Sequence, residues 1–172
     1  MKTMKLWALS LLFVMGLGFA SAQSNLAQSA EVESLLEAGK IGEAVNTFEK
    51  FKQEKTKEKA ESFDLFLLEI RLYRDVANGF YPIKDGSDIE QYKSTYADLK
   101  KQILKKYPNQ GDAYVMQVID GDATPEDVVK FTTKALELEP QRLDLYGLRA
   151  QAYREMGKEE EAAADEAKMM GN

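Results

Sequence analysis

Few side chains in this sequence are suited to catalysis or metal binding. The chain has no cysteine and no histidine. Their absence excludes thiol and serine–histidine nucleophiles, zinc sites built on these residues, haem ligation and iron–sulfur clusters. Chemistry based on carboxylates or lysine remains, and its best location is the segment Phe80–Ser87 with Asp85 and Asp88. The sequence does not pair these carboxylates, so we expect no enzyme activity and no cofactor.

A second acidic segment, Asp120-Gly121-Asp122, is similar to the start of a calcium loop. An EF-hand needs glycine at the sixth position of the loop and glutamate at the twelfth. Phe131 stands at the twelfth position here. A turn followed by a helix cap explains this segment better, and the sequence predicts no metal site.

Arginine side chains are the strongest candidates for ligand binding. Arg71, Arg74 and Arg154, together with Gln151, are suited to acidic peptide groups or a C-terminal carboxylate, which the guanidinium group binds in bidentate fashion. The alternative is that the arginines pair with acidic residues on the same surfaces. These acids are Glu69, Asp75 and Glu155.

Tyrosines offer a second kind of binding surface, because aromatic rings stack on ligands. Their spacing of three and four residues is typical of side chains that fill a helical core, and we expect the core role. The tyrosines in question are Tyr73, Tyr92, Tyr96, Tyr114, Tyr146 and Tyr153.

The N-terminus has the pattern of a cleaved export signal. Lys2 and Lys5 precede an apolar stretch over residues 6–19, and Ala20-Ser21-Ala22 forms a small-x-small cleavage site. We expect cleavage after Ala22 and a periplasmic or secreted protein, with an uncleaved anchor as the alternative. The absence of cysteine excludes a lipoprotein, and no later apolar run is long enough to span a membrane.

Charge limits the kinds of partner. The whole chain has a formal charge of −6, and removal of the two lysines in residues 1–22 makes it −8. Nucleic-acid binding depends on neutralising phosphates with basic residues. We therefore expect no nucleic-acid partner.

Residues 23–172 are predicted to be helical, because their apolar residues recur at spacings of three and four. No turn signal lies between alternating segments, so no hairpin is predicted. The predicted helices are Ala27–Ala38, Gly42–Lys55, Ala60–Asn78, Ser87–Tyr107, Asp112–Ile119, Pro125–Leu138, Arg142–Met156 and Lys158–Met170.

Several helix ends have recognisable signals. Ser87 with Glu90 three residues later predicts a capping box. Thr124 followed by Pro125 predicts an N-cap with proline at the first helical position. Gly39 is suited to the position just after a helix end.

The helices are predicted to repeat in pairs. Pro108 and Pro140 each close a helix and lie 32 residues apart, and Tyr114 and Tyr146 each follow six residues after their proline. A period near 34 residues is typical of an α-solenoid, in which each helix pair buries its face on the next.

At this point the sequence resembles tetratricopeptide repeats. Residues 135–140, Ala-Leu-Glu-Leu-Glu-Pro, match the segment that closes a repeat in that family. The large, small and aromatic positions of the next repeat, its turn and its second small position are matched by Tyr146, Ala150, Tyr153, Gly157 and Ala162. Earlier matches are residues 39–44, with Phe48 and Phe51, and residues 103–109.

The resemblance implies a single domain over residues 23–172, an all-α solenoid of about four antiparallel helix pairs. A plain helical bundle is the alternative. In the family, the first helix of each pair lines a concave groove, which would place Arg71, Arg74, Gln151 and Arg154 there. We therefore expect a non-catalytic interaction module that binds a peptide or protein segment of an unidentified envelope or extracellular protein. The alternatives are a binder of anionic glycan or cell-wall fragments and, third, a carboxylate-based enzyme.

The C-terminal end is unusual for a solenoid, because solenoids need a polar capping helix. Met169 and Met170 stand there instead. We expect weak self-association through this end, or a partner that covers it.

Overall fold

A computed structural model of the chain describes residues 27–58 and 62–170. Within these ranges it contains eight α-helices and no β-strand, which confirms the predicted all-α class. No helix of the described ranges is long and apolar enough to cross a membrane. The predicted export signal lies outside the described residues.

The helices follow the predicted order. Their bounds are α1 Ala27–Glu37, α2 Ile41–Glu58, α3 Phe63–Ala77, α4 Ile89–Lys106, α5 Gly111–Val115, α6 Pro125–Leu138, α7 Leu143–Glu155 and α8 Glu159–Met169.

Backbone positions group the described residues into two compact units. The first unit ends at Ile103 and the second begins at Leu104, so the last turn of α4 belongs to the second unit. Each unit is described by itself. The single repeat domain over residues 23–172 stays a prediction.

In the first unit, α1 packs on α2, and α2 contacts α3. The α3 sequence is apolar nearly all round, which predicts a helix covered on more than one side. Ten of its fifteen residues are buried, which confirms this prediction. Phe66 and Ile70 of α3 and Ile41 of α2 are at most 1% exposed.

One ion pair joins α2 to α3 beside this core. The Lys52 ammonium lies 2.6 Å from the Glu69 carboxylate, whose side chain is only 7% exposed. A carboxylate in such a place is costly to bury without a cation. Lys52 therefore allows α3 to keep an acidic residue on a buried face.

The segment between α3 and α4 folds back onto the start of α2. The Lys84 N–H donates to the Gly39 carbonyl oxygen at 2.9 Å. The Asp85 carboxylate accepts a hydrogen bond from the Gly42 N–H at 2.7 Å. The first N–H groups of a helix have no partner within the helix. The Asp85 carboxylate therefore caps α2 from a distant segment.

The predicted capping box at Ser87 and Glu90 is wrong. The helix begins at Ile89, and the Glu90 N–H donates to the carboxylate of Asp88 at 3.0 Å. The Ser87 N–H instead donates to Asp85 at 3.1 Å. Asp88 is an equally good N-cap residue, and it takes this position because Ser87 belongs to the turn around Asp85.

In the second unit, each helix contacts the next, from α5 through to α8. Leu136 of α6 and Leu145 of α7 pack with Val115 of α5 in a buried cluster, which Tyr114 and Tyr146 border. Alanines of these helices are also buried, at most 4% exposed. They are Ala113, Ala135, Ala150, Ala152 and Ala162.

Helix α5 is shorter than predicted. The sequence predicts a helix over residues 112–119, but α5 ends at Val115 and turns follow to residue 120. Beyond Met116 the hydrogen bonds change from four-residue to three-residue spacing, as in Gln117 N–H to Tyr114 and Val118 N–H to Val115. Val115, at the end of α5, and Met116 and Val118, in the turns, are all at most 4% exposed.

Other helix ends agree with their signals. The Asp127 N–H donates to the Thr124 hydroxyl at the start of α6, and Pro125 is its first residue. Gly39 and Gly157 have φ values of +78° and +71°, the left-handed conformation that ends a helix.

Candidate binding surfaces

Arg71 and Arg74, two of the four predicted binding residues, lie on α3. Arg74 is 8% exposed. Its Nη2 and Nε donate to Asp75 Oδ1 at 2.7 and 2.9 Å, so the predicted alternative, a pair with Asp75, is confirmed for this arginine. Arg71 is half-buried and also has an interaction partner.

Gln151 and Arg154 are three residues apart on α7 and therefore lie on the same face. The Gln151 amide donates to Glu155 at 3.1 Å. Arg154 is 52% exposed at its side chain, and its Nη1 lies 2.6 Å from Glu166 Oε1. The acids beside Arg154 are thus Glu166 and, with its Oε2 at 3.9 Å from the Arg154 Nε, Glu159, both of α8, and not the expected Glu155. Exposed pairs of this kind stabilise a protein by about 1 kcal/mol at most, so a ligand carboxylate could replace Glu166.

The four predicted residues fall into two pairs in two units. Arg71 and Arg74 belong to the first, and Gln151 and Arg154 to the second. Of these four, Arg154 alone is classed as exposed. The role of the set in peptide binding stays a prediction.

The tyrosines divide between the units. In the first unit Tyr73, Tyr92 and Tyr96 are buried, which confirms the predicted core role for these three. The Tyr73 and Tyr92 rings are 6.1 Å apart and join α3 to α4. In the second unit Tyr114, Tyr146 and Tyr153 are half-buried.

The hydroxyl group of Tyr73 lies in a partly buried, negatively charged environment. It donates to the Glu49 carboxylate of α2 at 3.4 Å. Burial raises the pKa of Tyr73 well above its ordinary value, and the negative charges of Glu49 and Glu69 raise it further. The phenol therefore stays protonated to a higher pH than an exposed tyrosine.

The carboxylates proposed for an enzyme at the segment after α3 are engaged in capping. Asp85 caps α2, and Asp88 caps α4. A hydrogen bond from the Ser87 hydroxyl, followed by that from the Gly42 N–H, lowers the pKa of Asp85. Across residues 27–58 and 62–170, no group of three or more acidic residues is arranged to hold a metal ion.

Arg149 forms a polar site that the sequence analysis missed. Its Nε and Nη2 donate to the two carboxylate oxygens of Asp165, both at 2.7 Å, and its Nη1 donates to the Thr133 hydroxyl at 2.9 Å. The guanidinium carbon also lies 5.6 and 5.9 Å from the ring centres of Tyr146 and Tyr153. Arg149 therefore links α6, α7 and α8.

The ion pair of Arg149 with Asp165 is also largely buried. Its side chain is 16% exposed and that of Asp165 is 8% exposed. The hydrogen bonds to Asp165 raise the pKa of Arg149. Since these two residues are sixteen positions apart and on different helices, no local spacing in the sequence indicated the pair.

Arg142 forms a second link at the start of α7. It donates to Asp112 at 3.1 Å, to Glu139 at 3.1 Å and to Asp144 at 2.8 and 2.9 Å. The Glu139 carboxylate also accepts from the Gly111 N–H at 3.1 Å. This arginine and its acids therefore tie the start of α5 to the turn between α6 and α7.

An exposed apolar surface lies at the end of the second unit. Leu143 is 49% exposed, and Met169 and Met170 are 44% and 67% exposed. Gly147 lies one helical turn after Leu143, and a Cβ added to Gly147 would meet the Met169 sulfur at 3.1 Å. Met169 therefore lies against the face of α7 that carries Leu143. We call Leu143, Met169 and Met170 the C-terminal apolar edge.

Comparisons of the chain with protein-family models, curated proteins and solved structures find no match. The resemblance to tetratricopeptide repeats therefore stays a prediction.

Proposed function

We propose that this protein is a non-catalytic interaction module, exported to the periplasm or the extracellular space, that binds a protein or peptide segment. The C-terminal apolar edge carries this proposal. Monomeric proteins seldom leave several large apolar side chains exposed together, and such surfaces commonly bind other proteins. Among the described residues, Phe80 and Leu138 are the other exposed large apolar side chains, and each lies apart in sequence from the three residues of the edge.

The helix arrangement supports a repeat-like scaffold behind this edge. Contacts between α7 and α8 join Arg149 to Asp165, and the backbone of Gly147 to Met169. As the residue number falls on α7 it rises on α8, which is the pattern of an antiparallel pair. Stacking of such pairs, as in tetratricopeptide repeats, buries one face of each pair on the next.

The polar face of α7 offers the same partner a charged contact. Arg154 is half-exposed, and Gln151 lies one turn before it on the same face. The exposed ion pair of Arg154 with Glu166 contributes little to stability, so a carboxylate of the partner can replace Glu166. In this proposal the edge supplies most of the affinity, and Arg154 favours a partner with a carboxylate nearby.

The experiment is capture of partners from the native host by the full chain, with an affinity tag inserted after Gln23, far in sequence from the edge. The edge variant is Leu143→Ser with Met170→Ser. The matched control is Phe80→Ser, since Phe80 and Leu143 are 48% and 49% exposed. Circular dichroism and thermal unfolding verify that each variant folds.

A protein captured by the wild type and by Phe80→Ser, and lost by the edge variant, would support the proposal. A protein lost only with Arg154→Ala would keep the interaction role but move the binding site to the polar face of α7. Capture of no protein, together with pelleting of the chain by purified cell wall, would overturn the proposal in favour of glycan binding.

A further inference from the structure

The methionines of the described chain differ widely in exposure. Met116 is 2% exposed and Met156 is half-buried, whereas Met169 and Met170 are 44% and 67% exposed. The chain has no cysteine, so no thiol of this protein competes for an oxidant. Oxidation of thioethers follows exposure. An oxidant in solution therefore reaches the C-terminal pair first.

The Met169 sulfur also makes a specific contact. The distance of 3.1 Å between this sulfur and a Cβ built on Gly147 is shorter than an ordinary van der Waals contact. A side chain at residue 147 would therefore have to displace the thioether by a few tenths of an ångström. A change in the polarity of this sulfur alters an apolar contact between α7 and α8.

We propose that Met169 and Met170 form a sulfoxidation site that converts the C-terminal apolar edge into a polar surface. In each reaction a hydroperoxide transfers one oxygen atom to a methionine sulfur. The sulfur provides an electron pair, the O–O bond breaks, and the departing oxygen takes up the proton to leave as water or an alcohol. Methionine sulfoxide is polar and is reduced again by dedicated reductases, so the change is reversible.

The modification site is independent of the proposed function, whereas its effect on partner binding rests on it. The sulfoxide pair would replace two of the three apolar side chains of the edge with strongly polar groups. Leu143 alone would remain apolar there. Partner binding through the edge is then weakened without unfolding of the buried Met116 region.

The site is tested by treating the folded full chain with hydrogen peroxide and measuring oxidation at each methionine by peptide mass spectrometry. We expect Met170 to react fastest and Met169 next. Met116 should react at least about tenfold more slowly, because its sulfur is reached only through local opening of the fold. Oxidation of Met116 or Met156 as fast as Met169 would overturn the proposal.

The variant Gly147→Ala tests the contact on α7. An added methyl group displaces the flexible Met169 thioether and exposes its sulfur, while alanine is a good helix residue at this position. We expect oxidation of Met169 to become about twofold faster relative to Met170 in the same molecule. An unchanged ratio would show that Gly147 does not shield this sulfur.

The effect on binding is tested by the capture experiment with peroxide-treated protein. The treated control is wild type whose sulfoxides are reduced again after the peroxide step by a methionine sulfoxide reductase, which restores both thioethers without a substitution at the edge. Loss of the partner by treated wild type, but not by the treated control, supports the regulatory effect. Equal capture by both overturns it. If untreated wild type captures nothing, the proposed function fails, and the peptide measurements decide the modification site separately.

Discussion

The two compact units bury different kinds of side chain. The first unit is filled by large residues, with Phe66, Ile41 and Ile70 at most 1% exposed. The buried residues of the second include five alanines, and larger ones such as Leu145 are fewer than in the first. Small residues allow two helix backbones to approach closely, but they bury little apolar area.

The two units also differ in the polar contacts that join their helices. In the first unit an ion pair of Lys52 with Glu69 joins α2 to α3 beside a large apolar core. In the second unit Arg142 and Arg149 each connect several elements through directional hydrogen bonds. The comparison indicates that the first unit depends mainly on buried volume, and the second on arginine links between close helices.

The largest effect should come from removing volume in the first unit. Phe66→Ala should lower the free energy of unfolding by about 3–5 kcal/mol, since the side chain is 1% exposed and leaves a cavity. Urea unfolding followed by circular dichroism measures the change, and hydrogen exchange locates it. Loss of protection confined to residues 104–170 would contradict the assignment of this core to the first unit.

In the second unit, the largest loss of stability should come from breaking the ion pair of Arg149 with Asp165. Asp165→Ala should lower the free energy of unfolding by about 3 kcal/mol, because it leaves a largely buried guanidinium without its carboxylate. The matched control is Glu166→Ala, the neighbouring acid on the exposed pair with Arg154, which should change it by about 0.5 kcal/mol.

The double variant Arg149→Met with Asp165→Leu separates charge from packing. It should recover most of the stability lost in Asp165→Ala, because no buried charge remains. A double variant as unstable as the single one would mean that the hydrogen bonds of Arg149 themselves, including that to Thr133, hold the second unit together. That result would sharpen the contrast with the first unit.

A smaller effect should separate two glycines of the first unit. Gly39 and Gly79 have φ values of +78° and +72°, so alanine costs about 1–2 kcal/mol at either position. A Cβ on Gly39 would also lie 2.8 Å from the Pro82 carbonyl oxygen, whereas one on Gly79 meets nothing within 4 Å. Gly39→Ala should therefore be the more destabilising in thermal unfolding. Equal effects would mean that the Pro82 segment moves aside freely.

The smallest effect should be the acid dependence of the Asp85 cap. The pKa of this carboxyl is lowered from its ordinary value of 3.8 in the folded state. The contribution of the cap is therefore complete above that ordinary value and is lost as the pH falls through the lower folded pKa. In the wild type, hydrogen exchange of the Gly42 amide should accelerate at acid pH relative to that of an amide whose hydrogen-bond acceptor is a backbone carbonyl. In Asp85→Asn this difference should shrink.

Much of the helical structure follows from local signals in the sequence. Thr124 with Pro125 marked the start of α6, and Gly39 and Gly157 marked turns, because caps and left-handed glycines depend on near neighbours. The wrong prediction of a capping box at Ser87 arose from a contact between residues that are distant in sequence. Its capping role was lost to Asp88 because Asp85, held by Gly42, drew Ser87 into a turn.

The contacts of the candidate binding residues were harder to predict. The pairing of Arg74 with Asp75 was foreseen as an alternative because the two are adjacent. The acids that pair with Arg149 and Arg154 are on α8, and their choice depends on which faces of α7 and α8 meet. Sequence spacing within one helix holds no information about that register.

The Asp85 cap also has a consequence for the order in which the first unit folds. Its two ends are 43 residues apart, so closing this loop costs chain entropy that only later contacts can offset. The α1–α2 hairpin can form early from local contacts, but the amide of Gly42 must wait until α3 has formed and the chain has turned back. We therefore expect Asp85→Ala to speed unfolding and to leave the folding rate nearly unchanged, as for a contact absent from the transition state.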